Sequence, residues 1–215
     1  LQAGPGVLHH VRVASGTTTA FDAKVSHLEV VGGVLRVAPN ATPQVTTLLE
    51  LTGGTLAWQN GFAGTLDVLG DVVHVATAAG ANDQPVQFLK VHGKWTGSAL
   101  FDMSVGYVVF VGPSSVIDGP SPGFGNLRID TGSLSVLVDA SVLRSLGNTS
   151  ATASTGGSGA FVMTGGNASL QAGPGVLHHV RVASGTTTAF DAKVSHLEVV
   201  GGVLRVAPNA TPQVT

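Results

Sequence analysis

An all-β chain wound as a right-handed parallel β-helix, with about 17–23 residues per coil, is what three features of this sequence predict. An apolar–any–apolar motif closed by Gly or another small residue recurs along the chain. Apolar and polar residues alternate with the period of two that strands require, and no stretch carries a helical period of about 3.6. Finally, the first 46 residues, Leu1 to Thr46, return unchanged as Leu170 to Thr215, 169 positions on.

The motif begins as VRVAS at Val11, LEVVG at Leu28, LELTG at Leu49, LDVLG at Leu66 and LKVHG at Leu89. It continues as VVFVG at Val108, LRIDT at Leu127 and FVMTG at Phe161, then VRVAS and LEVVG return at Val180 and Leu197. The intervals are 17, 21, 17, 23, 19, 19, 34, 19 and 17. A second strand often follows the small residue: VLRV from Val34, TLAW from Thr55, VVHV from Val72, SLSV from Ser133. Each unit therefore reads strand, bend, strand, loop, with Gly supplying the bend because it tolerates close backbone approach. Units this short cannot bury a core alone, but stacked units can. Irregular coil lengths favour the right-handed form over the left-handed one, which keeps a strict hexapeptide rhythm. The interval of 34 reads as two coils, giving nine per repeat, or as one coil with a long loop, giving eight. At ~4.8 Å per coil, one repeat advances roughly 38–43 Å. A β-sandwich is the competing fold, and the motif's recurrence at coil-length spacing weighs against it.

Composition narrows the classes further. The chain is 43% hydrophobic and 10% charged, against a usual charged share of roughly 25%. That excludes a disordered polyelectrolyte and a coiled coil. A net charge of −2 and the absence of a basic, aromatic-interleaved patch exclude a nucleic-acid partner. No apolar run reaches the roughly 18 residues of a membrane span. Without Cys there is no disulfide framework and no thiolate metal site. Residues 1–169 read as one complete tandem repeat, and 170–215 as the start of the next, continuous with it; the whole reads as an excerpt of a longer polymer.

The motif sites quoted above resemble the parallel β-helix repeats of large secreted or surface proteins, including repetitive adhesins and fibre proteins. The resemblance covers the whole chain and implies an extracellular solenoid with a structural or adhesive role.

Stacking should align side chains in outward columns. The middle residues of the motifs give Arg12, Glu29, Glu50, Asp67, Lys90, Val109, Arg128 and Val162. Arg12 with Glu29, and Asp67 with Lys90, are expected as register-setting ion pairs. The residues preceding the motifs share that face, among them His10, His27, Leu48, Phe88 and Tyr107. Leu48, and Phe88 with Tyr107 and Val109, are expected to leave an apolar contact surface, for another chain or an overhanging loop. His10, His27 and Glu29 are a donor set that zinc or copper accepts. The adopted reading is a plain surface pair, with no metal and no cofactor.

β-Helix enzymes that cleave pectin cluster carboxylates on one face, at ~5–9.5 Å for paired acid and base roles. The run Glu29, Glu50 and Asp67 is the only candidate here, and Trp58 beside it reads as wall or core. Calcium-binding, ice-binding and phosphate-loop repeats are absent. Four sequons, at Asn40, Asn148, Asn167 and Asn209, read as glycan acceptors. The expectation is a non-enzymatic, glycosylated extracellular fibre or stalk. Its partners are further copies end to end, with lateral filament contacts or glycans. A surface adhesin reading glycan or protein through its loops is the alternative, and a polysaccharide lyase or hydrolase the third reading.

Overall fold

Strands in this chain bury alternate residues, as in Gly64–Val68 and Gln87–Val91, where buried and half-buried positions alternate without error. The inward set is Val, Leu, Ile and Phe, which fit a pleated surface. In the computed structural model, which describes residues 1–215 apart from positions 3, 5, 76, 77, 80–83, 131 and 172, these strands form a parallel β-solenoid of about ten coils. No helix occurs among the described residues.

Each coil has three strand-bearing faces, taken by the chain in the order I, II, III. Face I stacks Leu8, Val25, Val45, Val68, Val91, Phe110, Ile129 and Asn148. Face II stacks Val11, Leu28, Leu49, Val72, Trp95, Ile117 and Val136. Face III opens with Thr17–Ala20, Val34–Val37, Thr55–Trp58 and Ala78–Ala79. Further along it carries Phe101, Phe124, Val142, Met163, Val182 and Val199. Every one of these pairings is parallel, and Leu28 and Leu49 are register neighbours as the motif implied.

Inside, the fully buried Trp95, Phe101, Phe110 and Phe124 form a contiguous aromatic cluster, with centroid separations of 5.1–6.2 Å. Trp58 is also core, its indole N–H donating to Gly64 O at 3.1 Å. The corner loops are pinned from within by buried amides. Gln87 Nε2 donates to Gln59 O and Phe62 O, and Asn126 Nδ2 to Ser104 O and Gly106 O. These bonds supply carbonyls that the loops could not satisfy with a ladder partner. At the corner between faces I and II, a Cβ on Gly70 would run into the Thr47 carbonyl, so the chain needs Gly there.

The two copies of the 46-residue segment fold alike. His10 pairs with His27 and Val11 with Leu28; His179 pairs with His196 and Val180 with Leu197. Phe21 N donates to Leu1 O at 2.9 Å, and Phe190 N to Leu170 O at 3.0 Å. Yet the copies stand on different faces. Leu8 lies on face I, whereas Leu177 continues the face II stack through the strands bearing Leu134 and Thr155. Val11 lies on face II, whereas Val180 stacks on Phe161 of face III. Ala20 lies on face III, whereas Ala189 follows Leu127, Leu146 and Leu170 on face I. A residue and its copy are therefore separated by eight whole coils and one further face.

The repeat thus falls between the nine coils expected and the eight of the alternative reading. Leu49 is followed on its stack by Val72, and Leu66 sits on face I, two faces onward instead of three. The long interval from Leu127 to Phe161 likewise spans one and two-thirds coils, with Ala140–Asn148 supplying the unrecognised strand.

Leu49 has no exposed surface and Leu69 is 42% exposed. In urea unfolding, Leu49→Ala is expected to cost about 2–5 kcal/mol. Leu69→Ala should stay within about 0.5 kcal/mol of the parent.

Candidate functional site

Because Leu28 and Val30 point inward, His27 and Glu29 point outward, and the same parity exposes His10 and Arg12 on the coil before. His10 and His27 stack face to face, with ring centroids 4.3 Å apart and planes within 5°. Arg12 Nε lies 3.2 Å from Glu29 Oε2, as the sequence implied, and His27 Nε2 lies 2.6 Å from Glu50 Oε2. The second copy rearranges this ladder. His179 and His196 meet edge to face, with centroids 4.5 Å apart and planes at 89°. Arg181 bridges two carboxylates, Glu198 through Nε and Asp139 through Nη1, each at 2.7 Å. The Arg181 hydrogen bond holds the Glu198 carboxyl below its usual range.

The other expected pair is different. Asp67 and Lys90 are register neighbours, but the Asp67 carboxylate is taken by His92 Nε2 at 3.0 Å and Gln44 Nε2 at 3.3 Å. Asp67 also stands on face I, while Glu29 and Glu50 are neighbours on face II. The run of three carboxylates read from the motif is thus divided between two faces.

The apolar surface is largely covered. Val109 is fully buried in register between Lys90 and Arg128, which corrects its assignment to an exposed contact surface: in a stack, an outward side chain can be roofed by longer ones from adjacent coils. Phe88 and Tyr107 are half-buried, with the Arg128 guanidinium 5.0 and 5.7 Å from their ring centroids. That guanidinium is fixed by Asp130 at 2.6 and 2.7 Å, so the cation is held over both rings. Beside it lies a cleft of about 310 Å³ lined by Tyr107, Arg128, Ser145, Thr149 and Gln171. Leu48 is half-buried, with His27 and Asp71 as its register neighbours.

Of the sequons, Asn40 and Asn209 are exposed at turns, with φ of 55° and 61°, and Asn167 is exposed at the start of a strand. Asn148 is 2% exposed, and its Nδ2 donates to Ala153 O at 3.1 Å. The atom a glycan would need points into the solenoid, which removes Asn148 from the expected acceptors.

One clamp had no signal in the motif columns. Arg144 binds Asp102 through both terminal guanidinium nitrogens, Nη1 to Oδ1 and Nη2 to Oδ2, the latter at 2.7 Å, across 42 positions of sequence. Neither residue belongs to a motif, so their meeting depends on coil lengths that the sequence left open. The Arg144 hydrogen bonds, opposed by partial burial and helped by the Ser104 N–H, hold the Asp102 carboxyl below its usual range.

With this geometry in hand, comparison with known proteins finds no matching family model, no similar curated protein and no similar solved structure.

A lowered carboxyl pKa stabilises the fold above the unfolded-state value, and that stability is lost as pH falls through the folded-state value. Asp102→Asn should therefore lower the melting temperature at pH 7. The gap to the parent should close in acid, once Asp102 is protonated in both states, as thermal melts across pH will register.

Proposed function

We propose that this chain is a segment of an extracellular structural rod built from identical tandem solenoid repeats. The observation that carries this reading is the joint. The Leu170 segment rebuilds the pairings of the Leu1 segment on a coil stack that continues without interruption from the preceding repeat. Burial supports it. Val30 and Val37 have no exposed surface where a coil follows them, while their copies Val199 and Val206 are 49% and 56% exposed on the last coils. Leu8 on the first coil is 44% exposed, and its copy Leu177, with a coil before it, is 1% exposed. In a longer array a neighbouring repeat would cover the surface of such terminal coils.

Such a rod has a defined internal rotation. Eight and one-third coils per repeat turn each unit by one face relative to the last. At ~4.8 Å per coil a repeat rises roughly 40 Å, and three repeats, roughly 120 Å, restore the starting face. Any feature present once per repeat then appears on three sides of the rod. Glycans on Asn40 and Asn167 would in this way surround the filament and oppose its lateral association.

The adhesin reading keeps one specific support. Tyr107, Arg128 and the hydroxyl- and amide-lined cleft combine an aromatic face, a fixed cation and polar donors, a combination suited to a sugar or an acidic peptide.

Electron microscopy of a protein with several repeats should show unbranched rods with ~40 Å axial steps that superimpose after a one-third turn, aside from slow twist of the stack. Separate globular beads joined by linkers would sink the rod reading. Screening of the chain on a glycan array, with Arg128→Ala as the control, tests the cleft.

A further inference from the structure

One outward column of face I has a gap in it. Its residues on successive coils are Lys90, Val109, Arg128 and Gly147, and Gln171 follows Gly147 as Leu170 follows Leu146. Val109 is covered by its long neighbours. Gly147 has no side chain to set between Arg128 and Gln171, and the space left there is the cleft of about 310 Å³. The backbone does not demand glycine at this place. Within 4 Å, a Cβ on Gly147 would meet only the Gln171 side chain, at 3.2 Å, whereas one on Gly70 would meet the Thr47 backbone. The cleft lies well inside the stack: Thr65 and Phe88 precede Tyr107 in its column, and Thr188 and Arg205 follow Ser169.

The polar groups around the gap are each held by a second bond. Arg128 Nε and Nη2 donate to Asp130 at 2.6 and 2.7 Å, and Thr149 Oγ1 donates to the same carboxylate at 2.6 Å. Gln171 Nε2 donates to Ser169 Oγ at 2.7 Å. What these bonds leave free, among the described residues, is mixed in kind. Arg128 Nη1 and the Tyr107 hydroxyl are donors; the Thr149 lone pairs and Gln171 Oε1 are acceptors. Arg128 is the one charged residue lining the cleft, and Asp130 neutralises it. An anion arriving there meets no unpaired positive charge.

We propose that this cleft binds a neutral saccharide, one or two sugar rings in size. The inference rests on the adhesin reading of the cleft and narrows it, from a sugar or an acidic peptide to an uncharged sugar. Neighbouring hydroxyls on a sugar ring are each both donor and acceptor. One accepts from Arg128 Nη1 or the Tyr107 hydroxyl while the next donates to Thr149 or Gln171. A carboxylate ligand would instead give up its water beside Asp130 without gaining an unpaired cation. Because the protein groups are already held, little freedom is lost when a ligand engages them. The volume stands at the lower end of the ~300–1,000 Å³ found for ligand clefts, which suits a small sugar unit. Gly147 makes the room: a side chain there would fill the gap without removing any hydrogen-bonding group. In the proposed rod the cleft recurs once per repeat, so a long polysaccharide would engage several at once.

The experiment is saturation-transfer difference NMR on the 215-residue chain. Cellobiose, maltose, lactose and chitobiose are the neutral probes, galacturonate and tetraglutamate the anionic ones, and circular dichroism confirms that each variant stays folded. Saturable binding of at least one neutral disaccharide is expected, unchanged when salt is raised to about 0.5 M. Gly147→Ala should weaken it by about ten-fold or more by filling the gap. Gln171→Leu, which leaves the glycine in place, should weaken it as well, and Leu69→Ala should leave it unchanged. Binding of the anionic probes alone, lost in salt and in Gly147→Ala, would overturn the neutral saccharide and leave the adhesin reading standing. Neutral sugar bound equally well by Gly147→Ala and Gln171→Leu would overturn the assignment to this cleft. Absence of binding by every probe would overturn the proposal and withdraw the cleft's support for an adhesin.

Discussion

Parallel, in-register hydrogen bonding between each coil and the next is the constraint on which every other feature of this chain depends. Side chains alternate across a strand, so a slip of one residue would turn the whole inward set of a coil outward. The coils nevertheless differ in length: Val11 to Leu28 spans 17 positions, and Leu146 to Leu170 spans 24. The difference has to be absorbed where it does not disturb the ladder. It is taken up at corners and loops, and by two register shifts, between Val25 and His27 and between Phe124 and Asn126. Inward Leu, Val and aromatic side chains then stack on their own kind, which excludes water along the full length at ~25 cal/mol per Å².

Corners carry a second constraint, because a tight bend leaves peptide groups without ladder partners. Two devices meet it. Glycine at the I–II corner lets one backbone pass against the next, as at Gly70 beneath Thr47. Buried amides reach out from the strands to the loops, as Gln87, Asn126 and Asn148 do. Gln87 and Asn126 lie near the start of face I strands and Asn148 at the end of one, so all three support loops that border that face.

What the sequence made legible, and what it did not, follows from the same geometry. Strand, bend and inward parity are local, and they were readable at Val11, Leu28 and Leu49, which do stack. Face identity is not local. All three faces use the same alternation and the same small residue at the bend, so an interval of 17 means a full coil from Val11 to Leu28 and two-thirds of one from Leu49 to Leu66. The pairing of Asp67 with His92 and Gln44, and of Asp102 with Arg144, lay beyond reach for that reason. Val109 and Asn148 failed differently. Parity set Val109 outward, but only the lengths of Lys90 and Arg128 decide that it is covered. For Asn148 a three-residue motif was read without its parity: Leu146 and Asn148 share the inward side.

The advance by one face per repeat constrains the sequence in turn. Identical residues can occupy face I in one copy and face II in the next only if their packing is decided by adjacent coils, with no fixed position around the axis. That condition holds within the copied segment, where pairings such as His10–His27 and His179–His196 are retained after the change of face. It leaves a single kind of interface to be solved, the contact between the last coils of one repeat and the first coils of the next. Leu146 on Leu170, Phe161 on Val180 and Asp139 with Arg181 belong to that interface. A substitution in one copy alone would create a second kind of joint, with one inward column or one ion pair mismatched. Under the proposed tandem arrangement, identity between copies lets one set of contacts serve an array of any length.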